Sequence, residues 1–201
     1  MALLFNHSGI SLEAGCDEAG RGCLAGPVFA AVVIFPENFY HSDLNDSKKL
    51  SAIQRYKLRE VIESSSLAFA VAKMDAGEID QYNILWASIR TMHKAIDQLS
   101  LRPQHIIVDG NKFLPYPQVS HDCIIGGDGL YASIAAASIL AKTYRDDFMQ
   151  NIHQKYPHYQ WERNKGYPTK DHRKAIIEFG PCIYHRKSFR LYPPDEQLAL
   201  F

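Results

Sequence analysis

The sequence predicts an α/β fold in which helices flank a central mixed β-sheet, and three observations carry that reading. The first 75 residues are dominated by β-rich runs, the middle of the chain has apolar residues at helical spacing, and short buried-strand runs recur between the helical segments. Strands first, then helices interleaved with further strands, is the order of a layered α/β domain. At 201 residues, 46% hydrophobic and 22% charged, the chain has the length and balance of a soluble globular protein with a real core.

Residues 9–18 and 27–35 are β-rich runs joined by a Gly-rich turn, which predicts a hairpin. Ser51-Ala52-Ile53-Gln54 is a capping box that starts a helix running to residue 63. Residues 67–72 and 105–109 read as short buried strands, and 119–125 as another. Leu85, Ile89, Met92, Ile96 and Leu99 place one helix over 79–99, with Pro103 beyond its end. A third helix spans 131–153. Its first half is rich in small residues (Ala132, Ser133, Ala135, Ala136, Ala137, Ser138, Ala141), which let a helix approach a sheet or ligand closely. A fourth covers 171–179 and stops at Gly180-Pro181. No linker or repeat divides the chain, so residues 1–190 are expected to form one domain and 191–201 a tail, extended by Pro193 and Pro194.

Composition narrows the function. No run approaches the ~18 unbroken apolar residues of a membrane span. The N-terminus lacks the pattern of a secretory signal, so a cytoplasmic location is expected. Cys16, Cys23, Cys123 and Cys182 form no C-x-x-C pair and complete no zinc spacing, which fits reduced thiols. Net charge is zero, yet residues 142–190 carry 11 Lys/Arg against 5 Asp/Glu. A basic segment against an acidic remainder suits a protein that grips phosphates in one place and metal ions in another, although a solvated face gives the same count.

The chemistry-bearing residues are mainly acids at strand ends. Asp17-Glu18 closes the first strand, Asp109 closes Ile106-Ile107-Val108, and Asp128 lies in Gly126-Gly127-Asp128-Gly129. Carboxylates brought together repel unless a cation joins them, and oxygen ligands without His or Cys favour Mg²⁺ or Mn²⁺. Spacing alone does not establish that they meet, and Asp128 reads equally well as a turn residue. Gly20-Arg21-Gly22 permits close backbone approach to a ligand but is not a P-loop; a plain hairpin turn explains it as well. Lys48, Lys49, Lys142 and Arg145, the loop Asn164-Lys165-Gly166-Tyr167, and His185-Arg186-Lys187-Ser188-Phe189 offer cations beside aromatics that suit phosphates and bases.

Over about residues 10–190 these segments together resemble the ribonuclease HII family. The matching stretches are Asp17-Glu18-Ala19-Gly20-Arg21-Gly22, Asp46-Ser47-Lys48-Lys49-Leu50, Val108-Asp109-Gly110, Gly127-Asp128, residues 135–142 with Arg145-Asp146, Asn164-Lys165-Gly166-Tyr167, His172, and His185-Arg186 with Ser188-Phe189. The resemblance implies a ribonuclease H-like fold with a small helical C-terminal extension. It implies hydrolysis of RNA paired with DNA, including cleavage 5′ of a single ribonucleotide embedded in duplex DNA, by two-metal-ion chemistry that leaves a 3′-hydroxyl and a 5′-phosphate. Asp17, Glu18, Asp109 and Asp128 would be the catalytic metal ligands, with Mn²⁺ or Mg²⁺. Gly20, Arg21 and Gly22 would read the 2′-hydroxyl, Tyr167 would stack on the sugar beyond the cut, and Lys48, Lys49, Lys142, Arg145 and Arg186 would contact the duplex. Cys23 and Pro168 depart from residues common in the family. Gln197-Leu198-Ala199-Leu200-Phe201 resembles the peptide by which bacterial repair proteins bind the sliding clamp, with Gln197, Leu198, Leu200 and Phe201 as contacts; packing back on the domain is the alternative. A monomer is expected. The rival readings are another metal-dependent nuclease of this fold and a non-catalytic nucleic-acid-binding module.

Overall fold

The computed structural model describes residues 3–192. One five-stranded sheet, in the order β3-β2-β1-β4-β5, forms its centre. Strands β1 (Glu13–Ala19), β2 (Val28–Ile34) and β3 (Ala68–Met74) pair antiparallel; β4 (His105–Asp109) and β5 (Ser120–Ile124) continue the sheet parallel to β1. The sheet is therefore mixed, as expected. The first strand starts later than predicted because Gly9 and Leu12 both hold positive φ, ending extended structure upstream of Glu13.

Every residue of β2 is buried, because helices cover both sheet faces. Ala14, Cys16, Ala30 and Val32 join Ile89, Met92 and Ile96 of α3 (Ile84–Asp97) in one cluster. Ala31 and Val33 join the other, with Leu58 and Ile62 of α1 (Ala52–Ser65) and the alanines of α4 (Ala132–Lys155). The period-2 alternation of a strand sorts these residues to opposite faces. The small-residue stretch of α4 does what its composition suggested: a Cβ on Gly15 would overlap the Ser133 backbone, so β1 and α4 lie almost in backbone contact.

One predicted element is corrected. The helix expected over 79–99 is two, α2 (Ala76–Tyr82) and α3, broken at Asn83. Asn83 has φ +61° and its side chain accepts hydrogen bonds from the amides of Leu85 and Trp86. Asparagine tolerates positive φ and caps helices better than it continues them, and here that local chemistry overrides the periodicity. The capping box at Ser51 is present, with Ser51 and Gln54 bonding reciprocally. Beyond α4 lie a short helix α5 (Trp161–Asn164) and α6 (Lys170–Phe179), the small helical extension. It packs through Trp161, Ile176 and Leu191 onto Leu24, Ala25 and Met149, so it sits against the β1–β2 turn. Among the described residues no helix is long and apolar enough to cross a membrane. Gln197, Leu198, Leu200 and Phe201 lie outside the described residues.

Candidate active site

The parallel order β1-β4-β5 sets the C-terminal ends of β1 and β4 side by side, with Cys16 opposite Val108. Asp17 and Asp109 follow on adjacent strand ends, and the 3-10 turn at Gly127–Gly129 returns Asp128 to them. One carboxylate oxygen from each of Asp17, Asp109 and Asp128 lies within 4.8 Å of the others. The Asp109 carboxylate accepts the Gly127 amide at 2.8 Å, which ties this turn to the strand end.

Glu18 is not in that group. Successive strand residues face opposite ways, and its carboxylate pairs with Arg21 at 3.2 Å. It still lines the same cleft, a cavity of about 290 Å³ bordered by Asp17, the Gly20–Gly22 turn, Lys48, Asp109, Lys142 and Tyr167. The structure thus brings together three of the four expected ligands and leaves the fourth in the same cleft, paired with Arg21.

Burial and the neighbouring Glu18 charge hold the Asp17 carboxyl well above the usual range, opposed by a hydrogen bond from the Ser138 hydroxyl. Burial raises Glu18 although Arg21 pulls it down. Asp109 is raised by burial and by Asp128. Carboxyls that resist ionising beside one another are a site short of positive charge. Lys48 supplies part of it, its ammonium 2.9 Å from Asp128, and that bond raises the lysine in turn. Three carboxylates with no His or Cys among them match a hard divalent cation such as Mg²⁺ or Mn²⁺.

The expected substrate contacts divide. Arg21, Lys48, Lys142 and Tyr167 line the cleft, and Lys142 also pairs with Asp146. Lys49 does not line it and sits 3.9 Å from Asp46. Arg145 and Arg186 are corrected outright, being 1% and 0% exposed. Arg145 donates to the carbonyls of Ala25, Pro27 and Lys165. Arg186 donates to those of Gly20, Arg21 and Gly26. Both guanidiniums are enclosed beneath the turn, where the rigid five-donor fork of arginine can hold several carbonyls at once.

This support has a geometric consequence. Among the described residues the peptide bonds are trans, so each C=O points opposite to the N–H of the next residue. With the Gly20 and Arg21 carbonyls turned inward onto Arg186, the Arg21 and Gly22 amides face outward from it, on the cleft side. Gly20 has φ +97°, and a Cβ there would overlap the Arg145 guanidinium, so only glycine fits. Tyr167 stands across the cleft on a loop whose Lys165 and Gly166 both have positive φ. The Gly166 carbonyl accepts the Leu24 amide at 2.8 Å, tying the tyrosine loop to the turn.

Sequence reasoning missed Ser47 and Ser138, whose hydroxyls bond each other at 2.8 Å while Ser138 also bonds Asp17. The signal was available, since Ser138 is a polar residue inside an alanine run facing the strand that bears Asp17. Arg55, which also lines the cleft, gave no signal; it donates to the Ser47 and Leu50 carbonyls. Cys16 and Cys23 are both buried beside the acidic run, and burial pushes the Cys16 thiol far up, which rules it out as a ready nucleophile.

Comparison with known proteins fits this geometry. A family model described as Ribonuclease HII matches residues 14–192. The ribonuclease HII of Bacteroides thetaiotaomicron is 61% identical over 189 residues, covering 94% of both chains. That of Cytophaga hutchinsonii is 50% identical over 202 residues, covering 100% of this chain and 99% of its own. Among solved structures, ribonuclease H2 from Pyrococcus horikoshii OT3 superposes with TM-score 0.76 at 25% identity, covering 89% of this chain and 94% of that one. Ribonuclease HII of Archaeoglobus fulgidus, solved in complex with PCNA, gives TM-score 0.71 at 25% identity, with 87% and 92% covered.

Proposed function

The chain belongs to the ribonuclease HII family, an endonuclease family acting on the RNA strand, and from that premise we propose that it also cuts on the 5′ side of single ribonucleotides embedded in duplex DNA. The observation that carries this reading is one cleft holding Asp17, Asp109 and Asp128, the outward amides of the Gly20–Gly22 turn, and Tyr167.

Asp17, Asp109 and Asp128 would hold the divalent ions, with Glu18 as the fourth carboxylate of the cleft. When bound, a pair of Mg²⁺ or Mn²⁺ ions supplies the Lewis acidity for in-line attack of water, which leaves a 3′-hydroxyl and a 5′-phosphate. The chain's own groups then select the substrate. The Arg21 and Gly22 amides donate to the 2′-hydroxyl, the group that distinguishes RNA from DNA. Tyr167 stacks on the next sugar and tests that it is deoxyribose. Lys48 and Lys142 place positive charge along the duplex backbone, which fixes register without reading sequence.

The test is a duplex with one ribonucleotide, incubated with Mg²⁺, with Mn²⁺ and with chelator. Cleavage on the 5′ side of the ribonucleotide, lost on chelation, is expected. Cutting of an all-DNA duplex at a comparable rate, or indifference to chelator, overturns the reading. The C-terminal Gln197–Phe201 pentapeptide is a second point of contact in this proposal, docking on a sliding clamp. The PCNA complex of the archaeal relative supports it. Clamp capture that survives deletion of residues 197–201 refutes it.

A further inference from the structure

Two buried histidines lie behind the tyrosine loop and do not line the cleft. His172 and His185 are 0% and 2% exposed, and their Nε2 atoms are 3.2 Å apart. Groups with only one possible role fix every proton in this pair. The Cys182 amide can only donate, and it meets His185 Nδ1 at 3.0 Å. His185 therefore carries its proton on Nε2 and donates it to His172 Nε2. The Trp161 indole N–H also donates to His172 Nε2, at 3.0 Å. That nitrogen accepts, so the His172 proton is on Nδ1. There it meets the Tyr167 carbonyl, which can only accept, at 2.9 Å.

The chain of donors thus ends on the backbone of the residue that faces the substrate. The Tyr167 backbone is otherwise held by short local bonds, from its own amide to the Asn164 carbonyl and from the Thr169 amide to its carbonyl, each 2.8 Å, while its side chain bonds Cys23. His172 can reach back because it sits in the first turn of α6, where the Thr169 side chain accepts the His172 amide. At the other end of the pair, His185 precedes Arg186, which grips the Gly20 and Arg21 carbonyls. The pair therefore splices the tyrosine loop to the residue that orients the ribose-reading amides. Burial lowers both imidazoles, His185 to about 4, in keeping with a neutral pair.

We propose that His172, held in its Nδ1–H form by Trp161 and His185, is the positioning residue that sets Tyr167 in the cleft and so determines the preference for a ribose–deoxyribose junction over continuous RNA. The inference rests on the substrate reading above, in which Tyr167 tests the sugar beyond the cut.

The experiment compares initial rates on a duplex with one embedded ribonucleotide and on a continuous RNA–DNA hybrid. It uses the full chain with His172→Phe, His172→Asn, Tyr167→Ala and the double variant His172→Phe/Tyr167→Ala. His172→Phe should lower kcat on the embedded ribonucleotide by roughly tenfold, the scale of one lost positioning hydrogen bond, and change hybrid cleavage by less than about twofold. His172→Asn, whose amide reaches the Nδ1 position, should recover most of that loss. Adding His172→Phe to Tyr167→Ala should change nothing further, because the residue acts through the tyrosine. Equal losses on both substrates, or a full His172→Phe effect in the Tyr167→Ala background, overturn the proposal. If His172→Phe does not fold, ¹⁵N NMR of the wild-type imidazoles decides: a proton on His172 Nε2 refutes the relay. If Tyr167→Ala leaves the junction preference intact, the substrate reading itself fails and takes this proposal with it. That result is distinct from one in which Tyr167→Ala abolishes the preference and His172→Phe does not.

Discussion

Replacing Arg186 with Met separates support of the turn from contact with the duplex. The guanidinium makes four hydrogen bonds to the carbonyls of Gly20, Arg21 and Gly26, at 2.8–3.0 Å. Bonds from a charged donor contribute about 1.5–3 kcal/mol each. Their sum overstates the loss, because the arginine is fully buried without a carboxylate bonded to it among the described residues. Burial lowers its pKa to about 10, a sign of that desolvation cost. Methionine fills similar volume and removes the charge, but it takes the guanidinium donors from three inward-facing carbonyls, of which Gly20 keeps the Cys23 amide at 3.4 Å. A net loss of about 3 kcal/mol follows, which lowers Tm by roughly 6–12 °C in a chain of this length. Lysine reaches one carbonyl at a time and should recover less than half. Cleavage should fall with stability, since the Arg21 and Gly22 amides lose their fixed direction, and it should fall even at temperatures where the variant is folded. Thermal melts and duplex titrations at several salt concentrations give the answer. An unchanged Tm, with weaker duplex binding and a shallower salt dependence, would mean that Arg186 meets phosphate and would refute this account of the turn.

Asp17→Asn should abolish cleavage while duplex binding persists, and in chelator its Tm should rise by roughly 2–4 °C as carboxylate repulsion is relieved; a fall in Tm, or near-normal turnover, contradicts the metal site. Gly15→Ala should cost about 3 kcal/mol in urea unfolding, because its Cβ would overlap the Ser133 backbone; a loss below about 1 kcal/mol means that α4 can move away from β1. The folded-state pKa of His185, about 4, lies below its unfolded value of 6.5. Between these the unfolded chain binds the extra proton, so this histidine's contribution to stability is present above pH 6.5 and lost as pH falls toward 4. The raised carboxyls of Asp17, Glu18 and Asp109 act in the opposite direction over acid pH. The effect is therefore read as the difference in Tm between wild type and His185→Gln, which should shrink on acidification; a pH-independent difference refutes it.

The fold was legible where local signals agreed. The capping box at Ser51, the strand ending at Asp109 and the alanine face of α4 each follow from a few adjacent residues, and the structure has all three. The division at Asn83 was not, because an otherwise regular apolar spacing concealed one residue with a strong preference for capping. In the site, residue types identified the acids, but the period of a strand separates Asp17 from Glu18 in a way that the dipeptide conceals. The arginines show the limit most clearly. In the sequence Arg145 and Arg186 count toward a basic segment that could meet phosphates. Their direction depends on carbonyls contributed by residues 20–27 and 165, far away in the chain, and no local pattern reports that.

That inward turn also changes what the charge asymmetry means. Two of the eleven cations in residues 142–190 are internal, and Lys142 is paired with Asp146, so the face left to meet a polyanion is weaker than the count implies. Selectivity must then rest less on bulk attraction and more on directed contacts from the turn and the tyrosine loop. The two devices are built differently. The acids are carried on strand ends within the sheet, while the turn and loop are held by buried donors to backbone carbonyls from α4, α6 and the segment after it. A substitution in the second network should alter which duplex is cut while leaving divalent-ion affinity, measured by calorimetry without substrate, near its wild-type value. If His172→Phe or Arg186→Met shifted ion affinity as strongly as Asp109→Asn, the two networks would be one, and the separation that follows from their geometry would be wrong.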